Sequence, residues 1–187
     1  MRQFIKIGQV EIGHLKDELK ACPELWGQFG IRKTGVHEDM TDIWVRYNAI
    51  SNFDPNDPAA FNGPHIPVWY PAWTVLPALR SIVFWLMTRV QGEMLGGILI
   101  TRIPSGLGIH PHKDASWHVD YFDKFYVSIE SEAGAAFIDV DSGERLEPRP
   151  GEVWRYDNTR FHAVKNNSQA DRVTLIVCIR TEMFRGL

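Results

Sequence analysis

The spacing of apolar residues changes character near the middle of the chain. Phe4 to Val10 mixes alternating and continuous apolar positions and predicts a short strand. Ile12, Leu15, Leu19 and Cys22 then recur at intervals of three and four, which places them on one face of a helix that Pro23 ends. Thr41 to Tyr47 has the β-branched and aromatic content of a second strand. From Asn48 to Pro71 the chain is dense in Pro, Asn, Asp and Gly and predicts a long irregular loop, with Phe53, Phe61, Trp69 and Tyr70 to anchor it. Leu79, Ile82, Val83, Leu86 and Val90 follow helical spacing within a helix predicted over Leu76 to Val90. Beyond Gly92 short β-rich runs take over: Met94 to Ile103, Lys124 to Glu130, Ala135 to Val140, Glu152 to Tyr156 and Arg172 to Arg180. No helical pattern separates these runs, so the expected class is mainly β (α+β), a jelly-roll core with N-terminal helices packed outside.

Composition sets the scale. At 187 residues, 44% hydrophobic and 23% charged, the chain is expected to form a single domain spanning 1–187, a helical and loop-rich part over 1–92 and a β core over 93–187. A formal charge of -3 gives no broad cationic field, which counts against nucleic acid and anionic membranes as partners. Cys22 and Cys178 are too few and too far apart for a disulfide framework or a zinc knuckle, and point to a reducing cytoplasm. The start lacks the pattern of an export signal, and no apolar run approaches the length of a membrane span.

Candidate chemistry gathers in Gly108-Ile-His-Pro-His-Lys-Asp114. His112 and Asp114 are two positions apart, so on an extended chain both side chains leave one face and can converge on one ion. His162 offers a second imidazole, and two histidines with one carboxylate make the ligand set of a non-haem Fe(II) oxygenase with positions open for co-substrate and dioxygen. Arg172 follows in a β-rich run, where a planar guanidinium suits the far carboxylate of a keto-diacid, held by two parallel hydrogen bonds. A different arrangement is open: His110 shares the face of His112 on a regular strand, and a His110-x-His112 pair would leave Asp114 without a role. Arg172 has a lesser alternative, a strand-entry arginine paired with Asp171 or a surface carboxylate.

Three segments together resemble the aspartyl/asparaginyl β-hydroxylase-like family of 2-oxoglutarate- and Fe(II)-dependent dioxygenases. They are Gly151-Glu-Val-Trp-Arg-Tyr-Asp-Asn158, Phe161-His-Ala-Val-Lys-Asn166 and Asp171-Arg-Val-Thr-Leu-Ile-Val177. Ile103-Pro-Ser-Gly106 followed by Pro111-His-Lys-Asp114 fits the same pattern, and the resemblance runs from about Met94 to Arg180. It implies a double-stranded β-helix of cupin-like, jelly-roll form, with iron held by His112, Asp114 and His162 and 2-oxoglutarate held through Arg172. It also implies hydroxylation of an amino-acid or peptide side chain by dioxygen, with release of succinate and carbon dioxide. Two departures stand out. Some members lack the carboxylate that Asp114 supplies, and Lys124-Phe-Tyr-Val-Ser128 stands where many carry an Arg-x-His pair.

Other residues are placed by proximity. Tyr126 and Ser128 are candidates to hydrogen-bond the co-substrate, while His110, Trp117, His118, Asn158 and Arg160 are candidates to meet a polar substrate. His14, His37 and His65 have no ligand-like spacing and are expected on the surface or in packing. Trp26, Trp44, Trp69, Trp73, Trp85 and Trp154 are expected to build the core. Two other classes compete: a cupin-type metalloenzyme that does not use 2-oxoglutarate, which leaves Arg172 idle, and a noncatalytic module of the same fold.

Overall fold

The computed structural model describes residues 4–182. Its strands are β1 (Phe4–Gln9), β2 (Thr41–Tyr47), β3 (Val68–Trp69), β4 (Met94–Ile103), β5 (Gly108–His112), β6 (Asp123–Glu130), β7 (Ala135–Asp139), β8 (Arg145–Leu146), β9 (Glu152–Tyr156), β10 (His162–Asn166) and β11 (Arg172–Arg180). Its helices are α1 (Gly13–Ala21), α2 (Ala72–Val75), α3 (Leu79–Arg89) and α4 (Trp117–Tyr121). Among these residues no helix is long and apolar enough to cross a membrane.

Two antiparallel sheets form the core. The larger runs β1-β9-β6-β11-β4-β2-β3 and the smaller β5-β10-β7-β8. From β4 onward the chain passes repeatedly from one sheet to the other, which is the winding of a double-stranded β-helix, while β1, β2 and β3 widen the larger sheet at its two ends. Two-residue alternation decides what each face of that sheet carries. Val173, Leu175, Val177 and Ile179 of β11 join Phe125, Val127 and Ile129 of β6 in one apolar cluster with Leu15 and Leu19 of α1 and Leu79, Ile82, Val83 and Leu86 of α3. The helices thus cover the outer face of the larger sheet. The intervening residues, Arg172, Thr174 and Ile176 of β11 and Lys124 and Tyr126 of β6, line a cavity shared with residues of the smaller sheet.

Local chemistry explains where the elements differ from the expected ones. The helix expected from Leu76 begins three residues later, because Leu76 precedes Pro77 and is driven out of the helical region to φ -112 and ψ 71. The Asn48–Pro71 stretch is not irregular throughout: it contains short 3₁₀ turns at Ile50–Asn52 and Ala60–Asn62, and β3 pairs with β2 at Arg46↔Trp69. A helix does intervene among the core strands, since α4 lies between β5 and β6. Trp44 is buried as expected, whereas Trp69 is 43% exposed, stacked on Trp73 and covered by the Arg46 guanidinium. Pro111 does not interrupt β5, because β5 is the edge of its sheet, where a missing N–H donor is tolerated. Gly108 opens that strand where a Cβ would lie 2.4 Å from the Val164 carbonyl oxygen, so only glycine lets β5 approach β10 this closely.

Candidate active site

The end of β5 meets the start of β10. His112 and His162 are register partners, and their rings lie 4.4 Å apart between centroids. Each imidazole is oriented from behind: His112 Nδ1 lies 2.7 Å from the His110 carbonyl oxygen and His162 Nδ1 lies 2.9 Å from that of Arg160. A carbonyl can only accept, so each Nδ1 carries a proton and each ring turns its Nε2 to the site. Burial lowers the pKa of His162, which keeps that ring neutral. Burial also opposes the charging of His112, but contact with Asp114 and the His110 carbonyl raises its pKa.

Asp114 sits just beyond β5, pinned where its backbone N–H donates to the Asn158 carbonyl at 3.0 Å. Its Oδ1 lies 3.3 Å from His112 Nε2, while its Oδ2 accepts from the Lys124 ammonium and, at 3.0 Å, from Asn158 Nδ2. Burial alone would raise the carboxyl pKa, but Lys124 and His112 hold it well below the usual carboxylate range. One donor atom from each of His112, Asp114 and His162 lies within 4.8 Å of the others. Donors bound about 2.1 Å from one ion and mutually perpendicular lie roughly 3 Å apart, so the three fit a single ion after a modest contraction. His110 contributes its carbonyl and turns its side chain to solvent.

Arg172 opens β11 and is 4% exposed. Its Nε has no hydrogen-bond partner, and among the described residues no carboxylate pairs with it, Asp171 having turned toward Arg102 instead. Burial lowers its pKa to about 10, which leaves it a cation at neutral pH. A buried, unpaired guanidinium is costly, and its place in the lining of one small cavity with His112, Asp114 and His162 shows where a counter-charge would fit. Tyr126 and Ser128 stand beside it. Tyr126 donates to Asn158 Oδ1 at 2.7 Å, burial pushes its pKa well above the usual phenol value, and both residues line a further recess with Arg172 and Thr174.

A larger cavity of about 410 Å³ opens on the other side of Asp114 and Lys124, walled by Trp44, Tyr47, Phe61, His118 and Arg32. His118 reaches it, is buried, and has its pKa lowered to about 3 by that burial. Trp117 stacks on Tyr121 and lies against His65 instead of lining it. Asn158 and Arg160 have partners other than an expected polar substrate. Asn158 binds Asp114 and Tyr126, and Arg160 donates from Nε to the buried Asp139 at 2.9 Å and is absent from the lining of both cavities. Spacing missed three titratable residues that line both cavities: Arg32, Lys124 and His37, whose ring packs 4.9 Å from that of His112. Only Lys124 carried a signal, being two and four positions before Tyr126 and Ser128 and so on the same strand face.

Solved structures of similar fold include a prolyl hydroxylase from Trichoplax adhaerens in complex with a hypoxia inducible factor oxygen degradation domain peptide fragment, with TM-score 0.60, 13% identity, and 96% of this chain and 84% of that one covered. An oxidoreductase of the 2OG-Fe(II) oxygenase family from Burkholderia pseudomallei matches with TM-score 0.56 and 13% identity over 75% of this chain, which spans 66% of that one. The viral collagen prolyl hydroxylase of Paramecium bursaria Chlorella virus-1, in its 2OG complex, matches with TM-score 0.54 and 11% identity over 96% of both chains. At these identities the likeness is one of fold. Among curated proteins none matches the chain. Residues 72–181, more than half of the sequence, match the family model of aspartyl/asparaginyl beta-hydroxylase, and the chain therefore belongs to that family of oxygenases.

Proposed function

We propose that the protein is a 2-oxoglutarate- and Fe(II)-dependent dioxygenase that hydroxylates an amino-acid or peptidyl side chain, with release of succinate and carbon dioxide. The observation that carries this reading is the buried Arg172 guanidinium, without a carboxylate partner, in the lining of the same cavity as His112, Asp114 and His162. Two neutral imidazoles and one carboxylate suit Fe(II) and leave one side of the ion open. When bound, iron and 2-oxoglutarate supply the oxidative chemistry, in which dioxygen is reduced as the keto-acid loses carbon dioxide.

The chain's own residues do the rest. His112 and His162 present Nε2 because their Nδ1 protons are engaged by carbonyls; His162 is held neutral by burial, whereas any proton that Asp114 holds on His112 Nε2 must leave as metal binds. Arg172 orients the distal carboxylate of the co-substrate, and its burial strengthens that pairing by excluding water. Tyr126 lines the same cavity with its hydroxyl proton engaged by Asn158, and Ser128 lies with it in the recess beside Arg172, where its hydroxyl can meet the co-substrate. The cavity of about 410 Å³ beside Asp114 receives the substrate, with an apolar wall from Trp44, Tyr47 and Phe61. A peptide as substrate is supported by the Trichoplax prolyl hydroxylase, which holds a peptide fragment.

The test is succinate release from 2-oxoglutarate by the purified protein, screened against amino acids and peptides. The expected result is turnover that requires both Fe(II) and 2-oxoglutarate and stops on chelation. Turnover of a substrate with iron but without 2-oxoglutarate would favour a different metalloenzyme.

A further inference from the structure

We propose that Lys124 is a positioning residue which, with Asn158, limits Asp114 to one donor oxygen and so keeps three coordination positions of the bound ion free. The inference rests on the metal-centre reading above and concerns how many ligand positions that centre leaves open. The two carboxylate oxygens of Asp114 are unequal in the structure. Oδ1 faces His112 Nε2 at 3.3 Å, on the side where the two imidazoles converge. Oδ2 accepts from both Lys124 Nζ and Asn158 Nδ2, and two donors occupy the two lone pairs that a carboxylate oxygen offers.

The orientation of Asn158 is also determined. A carboxylate accepts only, so the amide NH₂ must face Asp114; its Oδ1 is then left for Tyr126, whose hydroxyl donates at 2.7 Å. The backbone adds a second point of attachment, Asp114 N–H to Asn158 carbonyl at 3.0 Å, which stops the carboxylate from swinging about the loop. Lys124 projects from β6 on the cavity face, two residues before Tyr126, so a rigid strand carries both the cation and the hydroxyl that fix this group.

Coordination arithmetic gives the arrangement its purpose. Three protein donors on an octahedral ion leave three positions, two for a keto-carboxylate chelate and one for dioxygen. A carboxylate bound through both oxygens would take a fourth position and remove one that the reaction needs. Lys124 also draws electron density from the ligand, so it lowers the intrinsic affinity for a dication while preserving the open positions. Losing it should therefore tighten metal binding and weaken co-substrate binding, a sign opposite to that of losing a residue that merely supports the fold.

Co(II) is the probe, titrated by visible absorption at constant pH into metal-free protein, followed by 2-oxoglutarate titrated onto the Co(II)-loaded protein. Lys124→Met is expected to bind Co(II) about 10-fold more tightly than wild type, against the losses of roughly 10- to 100-fold usual when an outer partner of a ligand is removed. Its Co(II) spectrum should change, and its 2-oxoglutarate affinity should fall about 10-fold, while Lys124→Arg restores wild-type behaviour on all three counts. Lys124→Leu, which likewise lacks both the donor and the charge, carries the measurement if Lys124→Met does not fold. Co(II) affinity unchanged or weakened in the neutral variants overturns the proposal. Failure of wild type to bind Co(II) overturns the metal-centre reading itself, a result distinguishable from the first.

Discussion

Asp114→Ala is expected to lose Fe(II) affinity by roughly 100-fold or more, beyond what removal of an outer partner costs, and to form no succinate while remaining folded. The expectation follows from the position of Asp114 after β5, outside the apolar clusters, so that removing it leaves no cavity in the core. Its side chain is 17% exposed and that of Lys124 19%, so the cation left behind can reach water, and the melting temperature should fall by no more than about 1–2 kcal/mol of stability implies. The metal-free wild type carries a related pH signature. Because the folded-state pKa of Asp114 is depressed below the ordinary 3.8, its stabilising contribution is complete above that value and is lost as pH falls below it. In Asp114→Ala this part of the acid sensitivity should disappear. Metal titration and acid denaturation of the two proteins check both statements, and retained turnover would remove Asp114 from the ligand set.

Arg172→Met is expected to move stability and binding in opposite directions. In the protein without co-substrate the guanidinium is 4% exposed and its Nε is unsatisfied, a desolvation cost with no compensating ion pair. Replacing a buried charge with an apolar side chain of similar length is often neutral or stabilising by about 1–4 kcal/mol, so the variant should melt at or above the wild-type temperature. The same change removes the charge-assisted pair to the distal carboxylate, and truncating such a buried pair costs about 2–5 kcal/mol, or roughly 30-fold to a few thousand-fold in 2-oxoglutarate affinity. Metal affinity should stay near wild type. Thermal melting with calorimetric titration of 2-oxoglutarate separates these effects. A destabilised variant that still binds the co-substrate normally would show that Arg172 serves the fold and not the site.

The strands of the core were readable because their burial is written as β-branched and aromatic runs. Met94–Ile103, Glu152–Tyr156 and Arg172–Arg180 of β4, β9 and β11 coincide with the runs seen in the sequence. β10 was not readable. His162-Ala-Val-Lys-Asn166 carries few strand-forming residues because it serves the site, and its pairing with β5 and β7 supplies what local preference does not. α4 was missed for a related reason: five residues are too few for helical periodicity to show. In the site, spacing along the chain revealed His112 and Asp114, but convergence with His37 and Arg32 depends on how the segment before β2 packs against β5, which no local pattern encodes. Asn158 illustrates the same limit. Its proximity to His162 in sequence marks it for the site, but its contacts with Asp114 and Tyr126 depend on the turn after β9.

The central claim is that His112, Asp114, His162 and Arg172 serve one iron and one bound diacid. Anaerobic addition of Fe(II) and then 2-oxoglutarate to the wild-type protein, followed by visible absorption, tests it most directly. A charge-transfer band should appear only with both present, be lost in Asp114→Ala, and require far more 2-oxoglutarate in Arg172→Met. Wild-type protein that holds Fe(II) at full occupancy yet shows no band at saturating 2-oxoglutarate would contradict the claim.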